Sequence, residues 1–364
     1  MNEIYQPIVF RLSNPDDLNS FEELKLNDSS IVIYDTIVDQ LIELYKVRHP
    51  AKITYSQQEI DCFVNSELNG CKIDFYGTWV YYPWSNRLIH LLDQNEYFDV
   101  RTNRNNTKIS LSEQQVLRNK TIGIVGLSVG QSVALTIAME RICGKLRLAD
   151  FDTVELSNLN RIRTSVHNLG LPKVVIVARE IAEIDPYLEI DIFPEGLNDS
   201  NMDAFLMGAK KVDVLIELCD SIDVKISCRI AARKYHIPVV METNDRCMVD
   251  IERYDLDPQL GILHGLVTEE ELSNFKNLTA AERLGLVLKI VDKERLSSKM
   301  LEAFSQIGKT IRSWPQLASS VTMGGGITTD IVRRILLEEV VPSGRWYFDV
   351  EDTLNNESVV FTNY

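Results

Sequence analysis

The chain has 364 residues, 45% of them apolar and 25% charged, with a net charge of −15. That length exceeds a typical single domain and allows a large buried core. The acidic balance argues against a nucleic-acid partner, because phosphate backbones need a basic face. No apolar run approaches the roughly 20 residues that span a bilayer. The N-terminus MNEIYQPIVFRL has no basic segment leading into a long apolar core, so no secretory signal is expected. Six scattered cysteines (Cys62, Cys71, Cys143, Cys219, Cys228, Cys247) read as reduced thiols of a cytoplasmic protein. No C-x-x-C pair occurs and the five histidines are dispersed, so no metal cluster is expected from them.

In chain order, residues 1–98 form a first, small α+β region. SSIVIYDTIVDQLIELYKVRHP has apolar residues at helical spacing. TYSQQEIDCFVNSEL opens with Ser56, and Glu59 three residues later completes a capping-box signal. GTWVYYPW reads as an aromatic strand ended by Pro83, and NRLIHLLD as a short amphipathic helix. The cluster Trp79, Tyr81, Tyr82 and Trp84 is core, a domain interface or a peptide-binding surface. The polar run RTNRNNTK marks a joint.

From residue 99 the second region runs to 364, with a helical insertion at about 265–318. Strands are predicted near 121–126, 145–150, 188–193, 212–217 and 237–242. Helices are predicted near 128–142, 171–184, 200–208 and 223–235. The alternation makes this an α/β, Rossmann-like fold, a mainly parallel sheet covered by helices. Such sheets bind ligands at the C-terminal ends of their strands, where Asp150, Asp220 and Glu242 to Arg246 fall, so METNDR is a candidate substrate-side loop, with ordinary polar turn chemistry as the plainer reading.

The richest stretch is Thr121 to Lys173. An apolar run meets a turn bearing Gly126, Leu127, Ser128 and Gly130, and a helical pattern follows. A second apolar run ends at Asp150. Small residues let a phosphate approach backbone, a helix N-terminus offers N–H groups, and a carboxylate can accept from ribose hydroxyls. The turn is not a complete G-x-G-x-x-G: Ser128 replaces the middle glycine and Gly130 comes one residue early. Ser157, Asn158, Arg161 and Lys173 then gather polar and cationic groups beside the expected phosphates.

DFDTVELSNLNR resembles the ThiF/MoeB/HesA family, which includes the ubiquitin-activating enzymes. The likeness extends over roughly 100–255 and 318–351, taking in LIELCDS, VTMGGGITTDIVRRILL and GRWYFDV. The resemblance implies binding of ATP and Mg2+ and adenylation of a carboxylate. It implies that Asp150 holds the ribose, with Asp152 in the same acidic motif, that Asn158, Arg161 and Lys173 contact phosphates, and that Asp220 holds the metal. RTNRN is similar to the segment whose arginine reaches the partner's ATP in a homodimer. Arg104 is the matching residue, with Arg101 as the nearby alternative, and a solvated basic linker as the plainer reading. Many members hold zinc with paired cysteines, so zinc is expected to be absent here.

No cysteine follows Cys247, which favours adenylation alone or followed by attack from an external nucleophile. The implied substrate is the carboxylate of a peptide or small, ubiquitin-like protein. Members that modify ribosomally made peptides carry an extra N-terminal peptide-binding region, and some bacterial members are linked to a nitroreductase-like domain. Two other functions fit the residues: a non-catalytic nucleotide-binding scaffold on the same fold, and an NAD-dependent oxidoreductase, in which SNLNR has no role.

Overall fold

A computed structural model describes residues 4–356. Its contacts divide the chain into two units: residues 1–114 with 182–187, and residues 115–181 with 188–364.

The first unit holds β1 (Ile8–Phe10), α1 (Pro15–Asn27), β2 (Val32–Asp35), α2 (Ile37–Arg48), α3 (Gln57–Leu68), β3 (Thr78–Tyr82), β4 (Arg87–Leu91) and α4 (Gln94–Thr102). α5 (Leu111–Leu117) crosses the boundary between the units. The sheet order is β1-β3-β4-β2, with β2 parallel to β4 and the other pairs antiparallel. Ser56 caps α3 in the expected capping box, its hydroxyl accepting from the Glu59 N–H. The aromatic cluster is mostly core: Trp79 and Tyr82 are buried, and Trp79 stacks on His90 with centroids 4.2 Å apart. NRLIHLLD is a strand and not the expected helix. Leu88 and His90 are both fully buried on alternate positions, and β4 pairs with strands on both sides. SSIVIYDTIVDQLIELYKVRHP also divides, into the strand β2 and the helix α2.

The second unit is built on β5 (Thr121–Val125), α6 (Gly130–Glu140), β6 (Lys145–Ala149), α7 (Lys173–Ile184), β7 (Glu189–Phe193), α8 (Met202–Leu206), β8 (Val214–Glu217), α9 (Ile222–Lys234), β9 (Val239–Thr243) and β10 (Met248–Glu252). The insertion follows, with α10 (Glu269–Asn274), α11 (Ala280–Ile290) and α12 (Ser298–Gln306). α13 (Ala318–Leu336), β11 (Gly344–Tyr347) and α14 (Val350–Asn356) complete it. The sheet order is β11-β10-β9-β8-β5-β6-β7. β7, β6, β5, β8 and β9 run parallel, while β10 and β11 add antiparallel pairs at one edge. The mainly parallel sheet flanked by helices is the expected Rossmann-like architecture. The chain winds outward from β5 in both directions, so the topological switch lies between β5 and β8, where such sheets open a crevice.

The interior strands β5, β6 and β8 are buried along nearly their whole length, as continuous apolar runs in parallel sheets require. One charged network also lies inside. Arg229 on α9 donates to Glu217 of β8 at 2.6 Å and to Glu252 of β10 at 2.5 Å, all three fully buried. Lys225 also donates to Glu217. Burial pushes the Glu217 carboxyl up, but Lys225 and Arg229 overcome it and hold it down at about 2. No helix among the described residues is long and apolar enough to cross a membrane.

Candidate functional site

The site forms where β5 hands over to α6. Gly126 has φ +87°, a conformation that glycine adopts without penalty. A Cβ there would lie 2.8 Å from Leu218 and Cys219 backbone atoms, so only glycine lets this turn lie against the end of β8. The next residue, Leu127, donates its N–H to Asp150 Oδ2 at 2.6 Å. Asp150 stands just past β6, and its Oδ1 accepts from the Asp152 N–H at 2.8 Å. Its carboxyl thus pins the glycine turn to the following loop and keeps lone pairs for a further donor. Burial raises its pKa, and the two backbone donors and Lys173 work against that rise.

Lys173 opens α7 and is 6% exposed. Its Nζ donates to Asp152 Oδ2 at 2.8 Å, and its N–H to the Asp152 carbonyl at 2.9 Å. Asn158 lies in the 3-10 turn Leu156–Asn160, where its Oδ1 accepts from the Glu155 N–H at 3.1 Å. Arg161 ends that turn and reaches back to the glycine loop, its Nε donating to Ser128 Oγ at 3.1 Å. Burial lowers its pKa, while the nearby Asp220 carboxylate pulls it back up. Asp220 is exposed just beyond β8. The structure therefore gathers Gly126, Leu127, Ser128, Gly130, Asp150, Asp152, Asn158, Arg161, Lys173 and Asp220 at the strand ends of one unit. Arg104 belongs to the other unit, exposed on a 3-10 turn at Asn103–Asn105.

Beside this cradle lies a cavity of about 210 Å³. Ser128, Asp220, Lys225, Glu242, Asn244 and Asp245 line its polar side. Its other wall comes from the insertion, with Ile290, Val291, Met300, Phe304 and Trp314. The Phe304 and Trp314 rings meet edge to face at 4.4 Å. The insertion is tied to the strand ends by polar bonds. Ser297 donates its N–H and hydroxyl to Asp245 at 2.9 and 2.6 Å, and Arg246 Nη1 donates to the Arg295 carbonyl at 2.9 Å.

Glu242 stands out among the lining residues. It is 4% exposed, neither carboxyl oxygen has a hydrogen-bond partner, and burial alone pushes its pKa to about 8. Its carboxyl occupies a recess left by Gly324 of α13, where a Cβ would come within 2.4 Å of Oε1. The sequence places Glu242 in the candidate substrate-side loop METNDR without singling it out. Its only signal there is an acid closing the apolar run IPVVME, and the recess depends on a glycine far along the chain.

A ThiF family model matches residues 101–293, more than half of the chain. The chain belongs to the ThiF family. The uncharacterized protein MT1398 of Mycobacterium tuberculosis (strain CDC 1551 / Oshkosh) is 37% identical over 348 residues, 96% of this chain and 46% of that protein. The tRNA threonylcarbamoyladenosine dehydratase 2 of Saccharomyces cerevisiae is 31% identical over 149 residues, 40% of this chain and 33% of that protein. The chain thus spans less than half the length of these curated relatives. The crystal structure of Escherichia coli tRNA N6-threonylcarbamoyladenosine dehydratase with ATP is 18% identical, with TM-score 0.46 over 65% of this chain and 94% of that one.

Proposed function

We propose that this protein is an ATP- and Mg2+-dependent adenylyltransferase that activates the carboxylate of a peptide or small protein, releasing pyrophosphate. The observation that carries the reading is the Asp150-centred cradle. One buried carboxylate holds the bare glycine turn, while Lys173 and Arg161 converge beside it. Asp150 accepts from ribose hydroxyls. Arg161 and Lys173 face the phosphates and neutralise charge as pyrophosphate leaves, and the uncharged Asn158 amide donates to the α-phosphate. The substrate carboxylate attacks the α-phosphorus, and being already ionised it needs no general base. The exposed carboxylate of Asp220, a hard oxygen donor on the strand edge near Arg161, suits Mg2+. Bound there, the ion would shield phosphate charge and orient the leaving group.

Calorimetry tests the nucleotide. Wild-type protein should bind MgATP, and Asp150→Ala should weaken it by on the order of tenfold or more, the loss of a charged hydrogen-bond acceptor. Preference for NAD over ATP would sink the assignment.

The reading includes a homodimer in which Arg104 serves the partner's nucleotide. Arg104→Ala and Lys173→Ala should each lower pyrophosphate exchange on the order of 10²-fold or more. Mixing the two under subunit exchange should restore part of the activity, because one site in each heterodimer keeps both residues. If heterodimers form and nothing is restored, Arg104 does not act across subunits.

A further inference from the structure

The cavity beside the cradle combines three acids with an aromatic wall, and its one lysine is already engaged. Lys225 Nζ lies 2.9 and 2.8 Å from the two oxygens of Glu217. Asp245 is taken up by Ser297, and Asp220 is near the Arg161 guanidinium. Two lining residues carry buried polar atoms without a partner: both carboxyl oxygens of Glu242, and Nδ2 of Asn244. Leaving such groups unmet forfeits their hydration with nothing in return, so an unmet pair on one cavity wall points to a ligand.

The missing partners have opposite character. Glu242 lacks a donor, and Asn244 Nδ2 lacks an acceptor. An ammonium group supplies the first and a carbonyl oxygen the second, and an α-amino carbonyl unit carries both. The apolar wall of Ile290, Val291, Phe304 and Trp314 accepts a hydrophobic side chain, and about 210 Å³ suits one of aromatic size. We infer that this cavity binds the α-amino group of an apolar amino acid or of an apolar amino-terminal residue, with the ammonium on Glu242, the carbonyl on Asn244 and the side chain against Trp314.

The inference rests on the adenylation reading only for its role, which is the acceptor. The acyl-adenylate forms at the mouth shared by Ser128 and Asp220. On binding, the ammonium displaces to water the proton that the buried Glu242 otherwise keeps, and then gives one of its own protons to the resulting carboxylate. Its nitrogen attacks the acyl carbon, the C–N bond forms, and the C–O bond breaks with AMP keeping the electron pair. A second proton passes to water. The products are an amide and AMP.

The test measures binding to the full chain by calorimetry, without ATP, so that it stands apart from the nucleotide result. L-Phenylalaninamide is the probe. 3-Phenylpropanamide lacks the amine and 2-phenylethylamine lacks the carbonyl, and each should bind on the order of tenfold more weakly. Glu242→Gln, checked for fold by circular dichroism, should weaken L-phenylalaninamide by a similar factor and leave 3-phenylpropanamide unchanged. Asn244→Ala should weaken L-phenylalaninamide but not 2-phenylethylamine. L-Phenylalanine and L-phenylalanylglycine separate a free amino acid from a peptide terminus as the source. Absence of L-phenylalaninamide binding overturns the proposal. So does 3-phenylpropanamide or 3-phenylpropionate binding as well as the amine, or Glu242→Gln having no effect.

Discussion

Replacing Arg229 by Met should destabilise the protein by about 3–5 kcal/mol, the usual result of removing one member of a buried ion network. Arg229 joins α9 to β8 and β10 through Glu217 and Glu252, and none of the three side chains reaches solvent. Without it, Glu217 keeps Lys225, but Glu252 keeps only neutral donors, the Tyr254 hydroxyl at 2.5 Å and the Leu263 N–H at 2.6 Å. A buried carboxylate with no cation either takes up a proton or opens the strand to water. Urea denaturation measures the loss, and Arg229→Met with Glu252→Gln should recover a substantial part of it. A single-variant loss below about 1 kcal/mol would show that the network is not desolvated as the structure has it.

The second large effect depends on pH. Glu242 has an ordinary value of 4.5 and is pushed to about 8 by burial. The unfolded chain releases that proton near the ordinary value, while the folded chain holds it until about pH 8. Over that window the folded state binds more protons, so stability falls as pH rises from about 4.5 to about 8 and then levels off. At 1.36 kcal/mol per pKa unit the full difference is up to about 5 kcal/mol. Glu242→Gln cannot ionise. It should therefore gain on the wild type steadily between those limits, and the gap between the two melting curves measured from pH 4.5 to 9 reports it. Parallel curves would falsify a neutral Glu242.

Much of the second unit was legible because its strands are buried on both faces. Their apolar stretches IGIV and VLI have no polar interruption, and the Gly126 turn, Asp150 and Lys173 follow at spacings set by a β-α-β unit. β10 was missed for the opposite reason. MVDIE carries Asp250 and Glu252, which interrupt an apolar run, yet both are fully buried, Asp250 against Arg345 and His264 and Glu252 against Arg229. Only residues distant in sequence make those acids acceptable inside a sheet. NRLIHLLD failed because eight residues fit a period of 3.6 or of 2 almost equally well, and strand pairing decides the matter. The cradle was readable residue by residue, because each member lies within a few turns of its strand. The cavity was not. Its wall is drawn from α11, α12 and Trp314, and its buried acid needs the bare Cα of Gly324.

The first unit is not continuous along the chain: residues 182–187 complete it. Within it the Tyr82 hydroxyl donates to the Ala182 carbonyl at 3.1 Å and the Tyr97 hydroxyl to the Ile184 carbonyl at 2.7 Å. Arg101 meets Asp185 at 3.0 Å, and the Tyr187 hydroxyl donates to the Leu92 carbonyl at 2.7 Å. During synthesis the ribosome therefore releases the first hundred residues well before the segment that finishes them. At a translation rate of roughly 5–20 residues per second, that nascent unit waits several seconds for its last piece. A chain truncated after residue 114 never receives it, so that fragment expressed alone should aggregate rather than form a stable domain.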